Sequence, residues 1–123
     1  MGRWGWSLAL KLKILEVQAH ARGKNYKISA DGKIISLVFT FHALERTQTW
    51  KLTDRQVILA LLAPDEVLRG HRNRYIAHRR RGTHVLRAVY EYQDKIPVVI
   101  TVYFPLAQRY FRGGDSYEDQ ILT

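Results

Sequence analysis

Cysteine is absent from the 123 residues, which excludes disulfides, thiolate metal sites and cysteine nucleophiles. Long apolar runs are missing as well. The longest uncharged apolar stretch, residues 96–107, is broken by Pro97 and Pro105 and is far shorter than the roughly 20 residues of a membrane helix. No membrane partner is expected. After the apolar run at residues 4–10, Lys11 and Lys13 intervene and no small-residue cleavage site follows, so no secretory signal is expected and a cytoplasmic location is. Acids are scarce: 11 Asp and Glu face 20 Lys and Arg, a formal charge of +9. A surplus of that size attracts polyanions over long range, and RNA is the expected partner.

The five histidines show no H-E-x-x-H spacing, and Gly113-Gly114 alone reads as a turn rather than a nucleotide loop. Neither a metal nor a cofactor is expected. The length suits one compact unit with its own core.

Along the chain, residues 7–20 place Leu8, Leu10, Leu12 and Ile14 at period two, which favours a strand. Asp31-Gly32, set between Tyr26/Ile28 and the apolar run 34–39, is a hairpin signal. Residues 41–49 (FHALERTQT) predict a helix with His42, Glu45 and Arg46 on one face. Thr53-Asp-Arg-Gln56 has the form of a capping box opening a second helix, which Pro64 ends near Ala63. Three β-rich runs follow, 74–80, 83–93 and 96–104, separated by Gly82 and by Asp94-Lys95. They predict an antiparallel meander covered on one side by the two helices, an α+β arrangement. The tail from Leu106 onward reads as loop plus a short helix.

The densest chemical signal is an acid-free stretch, residues 69–87, with seven arginines and three histidines. Arginine offers a planar fork that matches phosphate oxygens, and Tyr75 supplies a ring on which a base could stack. Arg72, Arg74, Tyr75, His78, Arg79, Arg80 and Arg81 are therefore the expected nucleic-acid contacts, against the alternative of a solvated hairpin. His42 and Arg46, four apart on one helix, suit RNA cleavage without a metal. Such cleavage needs a group to move the proton of the 2′-hydroxyl and a cation to stabilise the phosphorane. Arg87 falls on the strand face opposite Leu86, Ala88 and Tyr90, as a phosphate clamp or as a cross-strand partner of Glu91 or another acid. Tyr103 and Tyr110 offer phenols as acids or stacking rings, or they fill the edge of the core.

These segments assemble into a pattern: Phe39-Thr40-Phe41-His42-Ala43-Leu44-Glu45-Arg46, then Thr53-Asp54, Arg74-Tyr75, Leu86-Arg87-Ala88-Val89-Tyr90, Val99-Ile100-Thr101-Val102-Tyr103, Tyr110 and Tyr117-Glu118-Asp119. The pattern resembles a family of small domains of unknown function marked by an F-T-x-H-A-x-x-R motif and grouped with RelE-like and BrnT-like toxins. The resemblance runs from about residue 38 to 122. It implies two helices packed on a curved antiparallel sheet over 38–123, with residues 1–37 as an N-terminal β-hairpin extension. It also implies a metal-independent endoribonuclease, with His42, Arg46, Arg87 and Tyr110 as its catalytic residues and an acidic antitoxin as a partner. A homodimer built through the extension is a further expectation. The alternatives are a non-catalytic RNA-binding module and a protein-interaction domain.

Overall fold

The computed structural model describes residues 10–122. Among the described residues, seven strands and two substantial helices make an α+β unit. In chain order these are β1 (Leu12–His20), β2 (Gly23–Ala30), β3 (Lys33–Thr40), α1 (Phe41–Thr49), α2 (Asp54–Leu62), β4 (Glu66–Arg69), β5 (Tyr75–Arg81), β6 (His84–Gln93) and β7 (Ile96–Tyr103). A single turn of helix, α3 (Ala107–Tyr110), follows. Leu8 and the rest of residues 1–9 of the expected extension lie outside the described residues.

All strands join one sheet in the order β1-β2-β3-β7-β6-β5-β4. The sheet departs from the purely antiparallel arrangement expected from the sequence. β3 and β7 pair in parallel through Val38↔Val98 and Phe39↔Val99, so the first three strands and the predicted meander fuse into one larger mixed sheet. The reason is connectivity: the chain leaves β3, builds both helices and three strands, and returns alongside β3 in the same direction, as a parallel pair requires. The boundary expected at residues 37/38 falls inside β3.

Local chemistry accounts for the turns and helix starts. Asp31 (φ 49°) and Gly32 (φ 83°) form the two-residue link between β2 and β3, a left-handed pair that matches the twist of a hairpin. At Gly23 a side chain is excluded by contact, because a β-carbon there would stand 1.9 Å from the Phe39 carbonyl oxygen. α1 is capped by Thr40, whose hydroxyl accepts from the Ala43 N–H and donates to the Ile100 carbonyl, tying the helix start to β7. α2 has the predicted capping box: Thr53 Oγ1 accepts from the Gln56 N–H at 3.1 Å and Gln56 Oε1 accepts from the Thr53 N–H at 2.8 Å.

The core lies between the helices and one face of the sheet. Ala43 of α1 and Val57, Ile58, Ala60 and Leu61 of α2 pack with Tyr26, Leu37, Phe39, Leu86, Ala88, Tyr90, Val99 and Val102. Val85 is equally buried but points to the opposite face by alternation, beneath the chain that leaves β7. There its N–H donates to Pro105 and the Ala107 N–H donates to Thr83. The tail then crosses to the core side. Its bridge from Tyr117 to Val67 lines the β4 edge, and Asp119 accepts hydrogen bonds from the Tyr90 and Tyr92 hydroxyls at 2.7 and 2.6 Å. Among the described residues no helix is long and apolar enough to cross a membrane.

Candidate functional site

β5 and β6 pair with His78 opposite Arg87, and β4 and β5 pair with Glu66 opposite His78. Three neighbouring strands therefore line up a carboxylate, an imidazole and a guanidinium on the face away from α1 and α2. The His78 Nδ1 lies 2.6 Å from Glu66 Oε2, and its Nε2 lies 3.0 Å from Arg87 Nη1. Arginine can only donate, so Nε2 accepts, Nδ1 carries the proton, and the neutral ring passes a polar chain from acid to base.

Glu66 and His78 are both fully buried. Burial raises the Glu66 pKa, but hydrogen bonds from His78 and from the Arg112 and Gly114 backbone N–H groups outweigh it and hold the carboxyl below its ordinary range. Burial also depresses the His78 imidazole. The bond to Glu66 opposes that shift, the charge of Arg87 adds to it, and the net direction is down. A charged Glu66 beside a neutral His78 follows.

Arg87 is half-buried, and its Cζ lies 4.3 Å from the centre of the Tyr110 ring. Burial pulls its pKa down, the phenols of Tyr110 and Tyr103 act in the other direction, and the charge of Arg112 lowers it again. Tyr103 faces Arg87 across the β6–β7 ladder, and Tyr103 and Tyr110 are both substantially exposed. Among the described residues Arg87 makes no ion pair: its polar partner is the imidazole, and Glu91, the acid expected opposite it, pairs instead with Arg74 at 3.0 Å.

The four residues expected to catalyse separate into two pairs. Arg87 and Tyr110 meet on the open face. His42 and Arg46 ride on α1, which packs on the core face; His42 is exposed, and Arg46 lies 5.7 Å from the centre of the Trp50 ring.

The expected nucleic-acid contacts divide as well. His78 is a correction: it cannot reach a bulky ligand, because it is sealed beneath the tail and bonded at both nitrogens. Arg79 donates to the Ala63 carbonyl at the end of α2. Arg80 lies over Phe111 and donates to Gly82, while its own N–H is held by Asp65. Tyr75 packs against Tyr90 and Tyr92 and carries Arg69 over its ring. Arg72 and Arg81 remain exposed. The stretch that is acid-free in sequence thus receives Asp65, Glu66 and Glu91 from neighbouring strands and turns. Among the described residues no three of His, Asp and Glu gather as a metal ion would need.

Glu66 and Arg112 are the participants that sequence reasoning missed. Glu66 stands three residues before the acid-free stretch, in a four-residue strand too short to register as period two.

Residues 39–104 match the family described as a domain of unknown function, DUF4258. The chain belongs to this family. The DUF4258 match begins at Phe39, the first residue of the quoted pattern, and ends after β7, so α1, α2 and β4 to β7 lie within it while α3 and the tail follow it. No match was found among curated proteins or among solved structures.

Proposed function

We propose that this chain binds RNA, with a backbone phosphate seated at Arg87 between Tyr103 and Tyr110. The observation that carries this reading is a half-buried guanidinium whose polar partner is a neutral imidazole, His78, rather than a carboxylate. Such a group keeps its charge and has N–H donors left for the paired oxygens of a phosphate. The Glu66–His78 pair beneath it fixes its position, the adjoining phenols offer rings to unpaired bases, and the net charge of +9 supplies long-range attraction.

The test is fluorescence anisotropy with labelled RNA over a range of salt. Affinity that falls steeply with salt, and is lost in Arg87→Ala, supports the reading. Wild-type protein that ignores RNA, or an Arg87→Ala variant that binds as well as wild type, overturns it.

A second reading, metal-independent cleavage, is favoured by the contact between Arg87 and Tyr110. The ribose 2′-oxygen attacks phosphorus as its proton passes to solvent, the Arg87 guanidinium stabilises the phosphorane charge, and the Tyr110 phenol protonates the leaving 5′-oxygen as the P–O5′ bond breaks and then regains a proton from solvent. The resemblance to RelE-like and BrnT-like toxins, with its implied acidic antitoxin, belongs to this reading, and His42 and Arg46 have no part in it. Cutting in EDTA that leaves 2′,3′-cyclic phosphate ends and is lost in Tyr110→Phe supports it; intact RNA bound to clean protein removes it.

A further inference from the structure

A cleft lies on the core side of the sheet, between the turn that joins α1 to α2 and the β5–β6 hairpin. It is a depression open to solvent, with a volume of about 610 Å³, and is lined by Trp50, Lys51, Gln56, Arg81, His84 and Phe104. That is within the size range of small-ligand sites.

Its walls are built from ordered structure. Trp50 closes α1 with its N–H on the Arg46 carbonyl, and Lys51 takes a left-handed turn (φ 56°) with its N–H on Gln48. This presents the Trp50 ring, 36% exposed, with Arg46 at 5.7 Å. Across the cleft His84 and Phe104 stack at 5.1 Å with an interplanar angle of 28°. Lys51 and Arg81 are exposed at the rim, and among the described residues neither makes an ion pair. Two aromatic walls under two cations, with no carboxylate in the lining, suit a ligand that is both flat and anionic.

We infer that this cleft is a nucleotide-binding subsite that takes an unpaired base of single-stranded RNA between Trp50 and the His84–Phe104 stack, with its phosphate on Lys51 and Arg81. The inference rests on the RNA-binding reading above and adds the strandedness of the ligand. A base held in a duplex cannot enter such a cleft, whereas every base has a face for stacking once unpaired. The subsite and Arg87 lie on opposite faces of β6: His84 and Arg87 are three positions apart, about 10 Å of strand. An RNA strand that reaches both would pass round the hairpin tip Arg81-Gly82, which lies just beyond His84.

The experiment compares a labelled single-stranded oligouridylate with a blunt RNA duplex, using the full chain and its Trp50→Ala, Trp50→Phe, Arg81→Ala and Arg87→Ala variants, with folding checked by circular dichroism. Loss of one stacked base corresponds to about tenfold or more in affinity. Trp50→Ala is expected to weaken single-strand binding by that factor and leave duplex binding unchanged, and Trp50→Phe to restore most of it. If Trp50→Ala fails to fold, Arg81→Ala carries the same comparison. Single-strand binding unaltered by both variants, or weakened equally with duplex binding, overturns the subsite while leaving the Arg87 reading to its own variant. Wild-type protein that binds neither RNA overturns both. Binding of an acidic peptide that is lost in Arg81→Ala, without RNA binding, reassigns the cleft to a protein partner.

Discussion

Leu86 and Arg87 are adjacent in one strand, yet they belong to two different kinds of environment. Leu86 turns into an apolar core closed by α1 and α2. Arg87 turns the other way, onto a polar chain that begins at a buried carboxylate and ends among exposed phenols. The first face is closed by two capped helices, and the second is covered only around Glu66 and His78, by a four-residue helix and a tail. On this face the tail is tied down by hydrogen bonds to Glu66, and only after it has crossed the β4 edge do Tyr117, Ile121 and Leu122 pack against the core. One face thus supplies stability through area, and the other supplies position through a few polar groups that each matter.

The largest expected effect tests that second claim. Glu66→Ala strands the buried His78 Nδ1–H and leaves the half-buried N–H groups of Arg112 and Gly114 without their acceptor. Lost bonds to a charged acceptor, together with the unsatisfied donors, are worth about 3–5 kcal/mol, to be read from urea unfolding. A loss under about 1 kcal/mol would mean that the tail is not anchored there.

Next in size is the contrast within β6 itself. Leu86→Ala removes core volume and is expected to lower stability by about 2–5 kcal/mol, with RNA affinity retained by the folded fraction. Arg87→Ala leaves one imidazole nitrogen without its donor and is expected to lose about 1 kcal/mol of stability but most of the RNA affinity. If the two variants show the same ratio of lost stability to lost binding, the two faces do not divide the work as argued.

What could be read from the sequence was what the chain writes locally. The Asp31-Gly32 turn, the Thr53-to-Gln56 capping box and the end of α2 at Pro64 involve residues one to three positions apart, and the structure has each of them. The parallel pairing of β3 with β7 joins residues 60 apart. Glu66 meets His78 across 12 positions and Arg74 meets Glu91 across 17. Such pairings depend on how strands are ordered in the sheet, which period and turn chemistry do not specify. For the same reason the acid-free stretch looked more basic along the chain than it is in space. Arg87 and Tyr110 were both named from the sequence, but the group that holds Arg87 in place could not be.

The smallest effect concerns pH, and it separates the polar face from the core. His78 is held below its ordinary pKa of 6.5 by burial, against the pull of Glu66 and with the charge of Arg87. The unfolded chain therefore takes up a proton at position 78 before the folded chain does, so acid favours unfolding as pH falls below about 6.5. Glu66, also depressed in the folded state, extends the loss below its ordinary value of 4.5. Each group contributes a slope of at most about 1.4 kcal/mol per pH unit. His78→Gln keeps an amide donor for Glu66 and a carbonyl acceptor for Arg87 but has no titrating proton. Its stability should fall less than that of wild type between pH 7 and pH 5, and the two curves should converge with acid. Leu86→Ala, which touches the other face, should run parallel to wild type over the same range. Parallel curves for His78→Gln would mean that the imidazole titrates alike in the folded and unfolded chain, and curves that diverge with acid would mean that folding raises its pKa; a folded imidazolium cannot accept the Arg87 bond on which the proposed phosphate seat depends.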